Sequence, residues 1–377
     1  MTDRMASTGN DSGESLLDKP QVAEQANPYI VSADNPILIT GAAGFIGSRV
    51  IENLLDRGFR NLICFVRPSS KLAALQAVLK KRPQGVKFRI VRGNLLSRED
   101  CEDAVKDASL AVHLAAGTGE KSYPNAFMNS VVTTRNLLDA SLRHGDLRRF
   151  VLVSSFAVYS NRQNPKGRLL DESCPVEQHA ETRGEAYCFA KVKQEQIVAE
   201  YSKNFGIPYV ILRPGSVYGA GKPEIGGRVG VDTFGLFLHL GGSNTMPLTY
   251  VDNCAEAIVL AGLVRGVDGE IFNVVDDELV SSRRFLDLYK RGVRHFNSIY
   301  VPHSVSYAFC YLWEKYSQWS KGQVPPAFNT SRWHAYWKKT HYSNEKLKAK
   351  LGWSPKVTTA EALQRYFHSA AQGGQHA

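Results

Sequence analysis

Residues 40–47 read Thr40-Gly41-Ala42-Ala43-Gly44-Phe45-Ile46-Gly47. The apolar run Ile37-Leu38-Ile39 leads into them, and a helical pattern from Ile46 to Asp56 follows. A strand therefore enters a glycine-rich turn that opens a helix. This arrangement sets a dinucleotide pyrophosphate on the helix N-terminus, where unpaired backbone N–H groups and the helix dipole favour an anion. Gly41 permits the tight turn, Gly44 lets backbone approach phosphate, and Gly47 lets the helix lie close to the strand. Ala43, Phe45 and Ile46 complete the expected contact surface. The spacing is G-x-x-G-x-x-G rather than G-x-G-x-x-G, and only the flanking strand and helix make it specific.

Outward from this turn, short apolar runs alternate with helical patterns. Strands are expected at residues 37–40, 62–66, 87–91, 110–114, 150–153 and 209–212, with the clearest helices at 125–144 and 185–205. Six strands with crossover helices make a doubly wound α/β domain around a parallel sheet. After Arg213-Pro214 the rhythm changes: residues 219–242 are glycine-rich, a short strand is expected at 248–251, and residues 307–337 are dense in aromatics. The reading is a polar, disordered leader over residues 1–34 and a dinucleotide-binding domain over 35–215, to which 248–276 return. A smaller α/β substrate-binding domain takes 216–247 and 277–377.

The 377 residues carry a formal charge of +10, in small basic clusters rather than the long stripe that nucleic acid would want. That charge suits anionic small molecules. No apolar stretch reaches the roughly 18 residues of a membrane helix, and the N-terminus lacks the apolar core of a signal peptide. A cytoplasmic protein with no integral membrane segment is expected. The six cysteines are scattered and read as free thiols. The ten histidines show no metal-binding spacing, so no metal is expected.

Arg67 ends the second strand, twenty residues past Gly47. An acidic residue there would hold the ribose hydroxyls of NAD, whereas an Arg accommodates the 2′-phosphate of NADP. With Ser69, Ser70 and Lys71 it could form an anion pocket, so NADP is favoured and NAD stays open. Asn94-Leu95 and Leu114-Ala115-Ala116 close later strands on the edge that faces a cofactor. The Asn94 side-chain oxygen suits the adenine amino group, the alanines leave room, and His113 reads as packed. Val153-Ser154-Ser155 ends another strand, and Tyr187 and Lys191 stand at i and i+4 on one helix face. A phenol acting as base at neutral pH needs its pKa lowered by about three units, about 4 kcal/mol. An ammonium about 4 Å away supplies that at intermediate dielectric.

On these motifs the chain resembles an extended short-chain dehydrogenase/reductase of the NAD-dependent epimerase/dehydratase type. Further matching pieces are Val158-Tyr159, Arg213-Pro214-Gly215, Tyr250-Val251-Asp252-Asn253 and Leu351-Gly352-Trp353. The resemblance implies that Tyr187 is the acid/base and that Lys191 lowers its pKa and holds the nicotinamide ribose. It implies that Ser155 binds the reacting oxygen, that Pro214 lines the nicotinamide pocket, and that the protein is a homodimer. The substrate it implies is a nucleotide-linked sugar. Two departures bear on that: Ser216 replaces an Asn often seen, and Met246 stands where an Arg usually grips the diphosphate. Arg228, Arg283 and Arg332 are the candidate replacements. A sterol or 3β-hydroxysteroid dehydrogenase is the alternative, from Leu248–Asn253 and the aromatic segment. A non-catalytic dinucleotide sensor is the third, weakened because Ser155, Tyr187 and Lys191 are all present.

Overall fold

The computed structural model describes residues 28–373 except 82–83, 118, 121, 145–146, 165–166, 223–225, 234 and 322. Seven parallel strands form its sheet: β1 Ile37–Thr40, β2 Asn61–Val66, β3 Lys87–Arg92, β4 Leu110–His113, β5 Arg149–Val153, β6 Tyr209–Pro214 and β7 Ile271–Val274. Their order is β7-β6-β5-β4-β1-β2-β3, so the sequence reverses direction beside β1, where the glycine turn lies. Strand residues alternate between two cores. Ile37, Ile39, Val112, Val151 and Val210 pack on one face, and Leu38, Ala111, Phe150, Leu152 and Ile211 on the other. Parallel strands covered on both sides need such runs of apolar residues.

On the first face lie α1 (Phe45–Asp56) and a helix at Val251–Leu263. On the second lies a long helix that starts at Tyr123, passes through a π-type turn at Phe127–Val132 and ends at His144. Beside it runs Ala186–Phe205, which stops at Gly206 in the left-handed conformation. The helices expected at 125–144 and 185–205 are thus present, as are all six expected strands within one or two residues. β7 went unread as a strand because four residues, Ile271–Val274, carry too little pattern. It pairs with β6 at the sheet edge.

In the C-terminal half, the helix Val251–Leu263 and β7 lie with the large sheet. Leu248–Tyr250 pairs with Ser216–Tyr218 instead of the large sheet, and Val251 already opens the next helix. Leu347, Leu351 and Trp353 enter the core of the first face, and the Trp353 indole donates to the Asn253 carbonyl at 3.1 Å. The remaining part holds a three-stranded sheet of Gly230–Thr233, Leu236–His239 and Ser298–Tyr300, with helices at Ser282–Gly292, His303–Trp319 and Thr330–Tyr336. The leader expected over residues 1–34 falls largely outside the described residues. Its last stretch is packed: the Ile30 N–H donates to the Leu263 carbonyl at 2.8 Å, and Val31 is buried.

At the turn, Gly41 adopts φ +70°, and a Cβ at Gly47 would lie 2.2 Å from the Gly41 carbonyl oxygen. Gly47→Ala therefore forces α1 away from β1 and should cost about 1–3 kcal/mol. Gly226→Ala, with nothing within 4 Å of its added Cβ, should be nearly neutral. Denaturant melts of the two variants check this.

Candidate functional site

The carboxyl ends of β1, β4, β5 and β6 meet above the glycine turn. Gly44 caps α1 without a side chain, no acidic residue occupies the first turn, and no side chain caps the first N–H groups. Gly44 itself is exposed. A Cβ-free, electropositive cradle of this kind fits a dinucleotide pyrophosphate. Ala43, Phe45 and Ile46 are partly exposed around it, as are Leu114, Ala115 and Ala116 at the end of β4. Leu95 is buried, and Asn136 holds its loop by donating to the carbonyls of Leu95 and Leu96 at 3.0 and 3.1 Å.

Arg67 and Ser69 are exposed at the end of β2, and Ser70 is half-buried, with its N–H donating to the Arg67 carbonyl. The Arg67 side chain has no hydrogen bond or ion pair among the described residues. Asn94 is exposed as well, but its side-chain oxygen already accepts from the Leu96 N–H at 3.0 Å, and its own N–H donates to Asp100. That oxygen is therefore partly committed to its own loop.

The chemistry-bearing groups converge from three elements. Ser155 turns its hydroxyl toward Tyr187 and also accepts from the Ala157 N–H at 3.1 Å. Ser154 points the other way, donating to Glu195 at 2.5 Å. The Lys191 ammonium donates to the Val153 carbonyl at 2.7 Å and lies 6.0 Å from the centroid of the Tyr187 ring. Pro214 ends β6 nearby, beside Gly215, where a Cβ would meet the Pro247 carbonyl at 2.1 Å.

Electrostatics here differ from the expectation that Lys191 lowers the Tyr187 pKa. Burial raises the phenol above its ordinary value, and the opposing influence is the Ser155 hydroxyl rather than the ammonium. One of the three ammonium N–H groups is taken by the Val153 carbonyl. Burial lowers the Lys191 pKa to about 8, and the Glu195 carboxylate one helical turn away resists that fall. Burial thus favours the protonated phenol at Tyr187.

Several residues here escaped the sequence reading. Glu195 is gripped by Arg213 at 2.6 and 3.0 Å, and Arg213 also donates to the Tyr159 hydroxyl. Gln194 donates to Thr134 and to the Ser130 carbonyl. The signal available was their spacing: Gln194 and Glu195 stand three and four residues past Lys191, so they share its buried face. His113, read as packed, is fully enclosed between Thr40 and Thr134, and burial pushes its pKa down to about 3.

A second group lies just before Tyr187. Arg183, Arg228 and Arg332 stand 5.5, 4.9 and 5.8 Å from the centroid of the Tyr336 ring. One carboxylate, Glu185, pairs with Arg183 at 2.7 Å and Arg332 at 3.6 Å. Arg183 is wholly buried, donating to the carbonyls of Ala157 and Tyr159, while Arg228 and Arg332 are half-buried. Glu177 also acts on the buried Arg183, so three guanidinium groups against two carboxylates leave the group net positive, with Arg228 and Arg332 on its partly exposed side. Two of the three expected cations are therefore brought together. Arg283 is elsewhere, over Tyr300, and Met246 is buried in a core with Phe285 and Tyr366. Among the described residues no group of His, Cys, Asp and Glu could hold a metal ion, and all six cysteines are buried and unpaired.

Known proteins agree with this architecture. A trifunctional UDP-glucose 4,6-dehydratase/UDP-4-keto-6-deoxy-D-glucose 3,5-epimerase/UDP-4-keto-L-rhamnose-reductase of Arabidopsis thaliana is 27% identical over 349 residues. The match takes in 87% of this chain, which spans about half of that protein, 46% of its length. The decarboxylating sterol-4-alpha-carboxylate 3-dehydrogenase of Mus musculus is 23% identical over 359 residues, 90% of this chain and 92% of that protein. The structure of a UDP-glucuronic acid 4-epimerase from Bacillus cereus, in complex with UDP-glucuronic acid and NAD, superposes with a TM-score of 0.66. It is 24% identical and covers 89% of this chain and 99% of its own. The profile of the NAD dependent epimerase/dehydratase family matches residues 37–274, from β1 to the end of β7, and the chain belongs to that family.

Proposed function

We propose that the protein moves a hydride to or from a hydroxyl-bearing carbon of a nucleotide-linked sugar. The observation that carries the reading is the meeting of Ser155, Tyr187 and Lys191 beside the arginine wall at Tyr336. A bound nicotinamide dinucleotide supplies the hydride acceptor or donor. The N-terminus of α1 would hold its pyrophosphate, and Lys191 and Pro214 its nicotinamide end. Ser155 orients the reacting oxygen, and Tyr187 exchanges a proton with that oxygen. The relatives named above act on UDP-linked sugars and on a sterol. The sterol reading keeps one specific support, a match over nearly the whole length of the mouse enzyme.

The choice of dinucleotide rests on Arg67, an exposed cation that has no hydrogen bond or ion pair among the described residues and stands where NAD enzymes place a carboxylate. It supports NADP, whereas the Bacillus cereus structure holds NAD. A homodimer is supported by Met128, Leu142 and Phe205, apolar yet exposed on the helices Phe127–His144 and Ala186–Phe205. A cleft of about 600 Å³ opens along the same pair, lined by Phe127, Val131 and Ile197 together with Arg135, Lys193, Glu200 and Lys203.

Tyr187→Phe should abolish turnover, followed by nicotinamide absorbance with candidate UDP-sugars, and leave dinucleotide affinity nearly intact. Near-normal turnover would remove the phenol from the chemistry. In Arg67→Asp, NADP affinity should fall while NAD affinity holds or improves; equal loss of both would make Arg67 a folding residue. Each charge-assisted contact to phosphate contributes about 1.5–3 kcal/mol. The double variant Arg228→Ala/Arg332→Ala should therefore bind UDP at least about a hundredfold more weakly in calorimetry. If the parent protein binds no nucleoside diphosphate but does bind a sterol, the sterol reading replaces this one.

A further inference from the structure

The helix His303–Trp319 carries its large apolar side chains on the outside. It buries Ser306, Cys310 and Ser317, whereas Val305, Phe309, Leu312, Tyr316 and Trp319 are 54, 47, 65, 51 and 77% exposed. These five recur at intervals of three and four residues, so they form one stripe along the helix. Ile299 and Tyr300, in the strand just before, are also exposed. At 65 and 77% exposure, Leu312 and Trp319 protrude as a ridge.

The helix is firmly backed. Trp333 donates its indole N–H to the Ser306 hydroxyl at 2.9 Å, Tyr307 packs edge-on against Trp333, and Cys310 sits in a core with Leu240 and Trp337. The ridge is therefore held in place rather than loosely attached.

The segment that carries it is basic. Residues 283–321 hold Arg283, Arg284, Lys290, Arg291, Arg294, Lys315 and Lys321 against only Asp287 and Glu314. Glu314 turns inward, accepting from the backbone N–H and hydroxyl of Thr330. Two of the cations stand beside the exposed aromatics. Lys315 lies 5.6 Å from the Tyr311 centroid, and Arg283 lies 5.3 Å from that of Tyr300. A second copy of the chain, related by a twofold axis, would bring this positive segment against itself. Anionic headgroups would neutralise it, and Trp and Tyr side chains favour the boundary between headgroup and acyl chain. No helix among the described residues is long and apolar enough to cross a membrane, so the attachment is along the surface.

We propose that this face seats the protein on an anionic bilayer surface, with the stripe Val305–Trp319 in the headgroup boundary and the basic flank against the lipid phosphates. The inference stands apart from the reading of the reaction, because none of these residues belongs to the site around Tyr187.

The test is flotation of the full chain with phosphatidylcholine vesicles, plain or carrying about 30% phosphatidylserine. The protein should float with the mixed vesicles, much less with plain ones, and high salt should release it. Leu312→Glu/Trp319→Glu should lower vesicle binding at least about tenfold with an unchanged melting temperature, since both side chains are already exposed. Three results overturn the proposal: no flotation with mixed vesicles, equal flotation with plain ones, or undiminished binding of the double variant. A dimer in sedimentation that the double variant loses, without vesicle binding by the parent, assigns the face to a second copy instead.

Discussion

A continuous line of buried hydrogen bonds ties the nucleotide turn to the helix that carries Tyr187 and Lys191. Ala115 donates its N–H to the Thr40 hydroxyl, which meets His113 Nδ1 at 2.8 Å; His113 Nε2 meets Thr134 at 3.0 Å. Gln194 joins at 2.8 Å, and the Thr134 hydroxyl itself donates to the Ser130 carbonyl. These partners settle the proton positions. Thr134 has given its hydrogen to Ser130, so it accepts from His113 Nε2–H, and Nδ1 accepts from Thr40. Every side chain in the line is buried, and leaving one unpaired would cost about 1–3 kcal/mol. The ends of β1 and β4 and the Ala186–Phe205 helix are therefore fixed relative to one another before any ligand binds.

The π-type turn at Phe127–Val132 has its place in this line. Its widened winding lets the Ser130 carbonyl accept from the side chains of Thr133, Thr134 and Gln194. The Ser130 hydroxyl accepts in turn from the Gly117 N–H at 3.0 Å, which steadies the loop after β4. On the opposite face Arg149, wholly buried at the start of β5, donates to the carbonyls of Ala261 and Val264 and pairs with Asp268. It satisfies the C-terminal end of the Val251–Leu263 helix, where a cation is most favourable.

Much of this was legible in the order of residues because it is local. A strand such as Ile37–Thr40, a turn that needs glycine, and a phenol four residues before a lysine each declare themselves within a short window. What escaped reading depends on residues far apart. The pairs Glu195–Arg213 and Ser154–Glu195 join strand ends to a helix across the fold, and nothing in the neighbouring sequence marks them. Arg183 likewise looks like a surface cation until its carbonyl partners are seen. Spacing shows that an ammonium is near the phenol, but not how strongly burial of the ring works against its ionisation.

The way the chain weaves between its two halves limits how the cleft can close. β7 lies at the edge of the large sheet, the Val251–Leu263 helix is almost wholly enclosed, and Trp353 returns from near the C-terminus to the same core. A hinge would require the two halves to part as free bodies, and these returning segments stitch them together. Closure around a ligand is left to small sliding of packed elements such as Ser282–Gly292 and Thr330–Tyr336. Free and liganded forms should consequently share one sheet and one outline, differing mainly in side-chain positions along the wall at Tyr336.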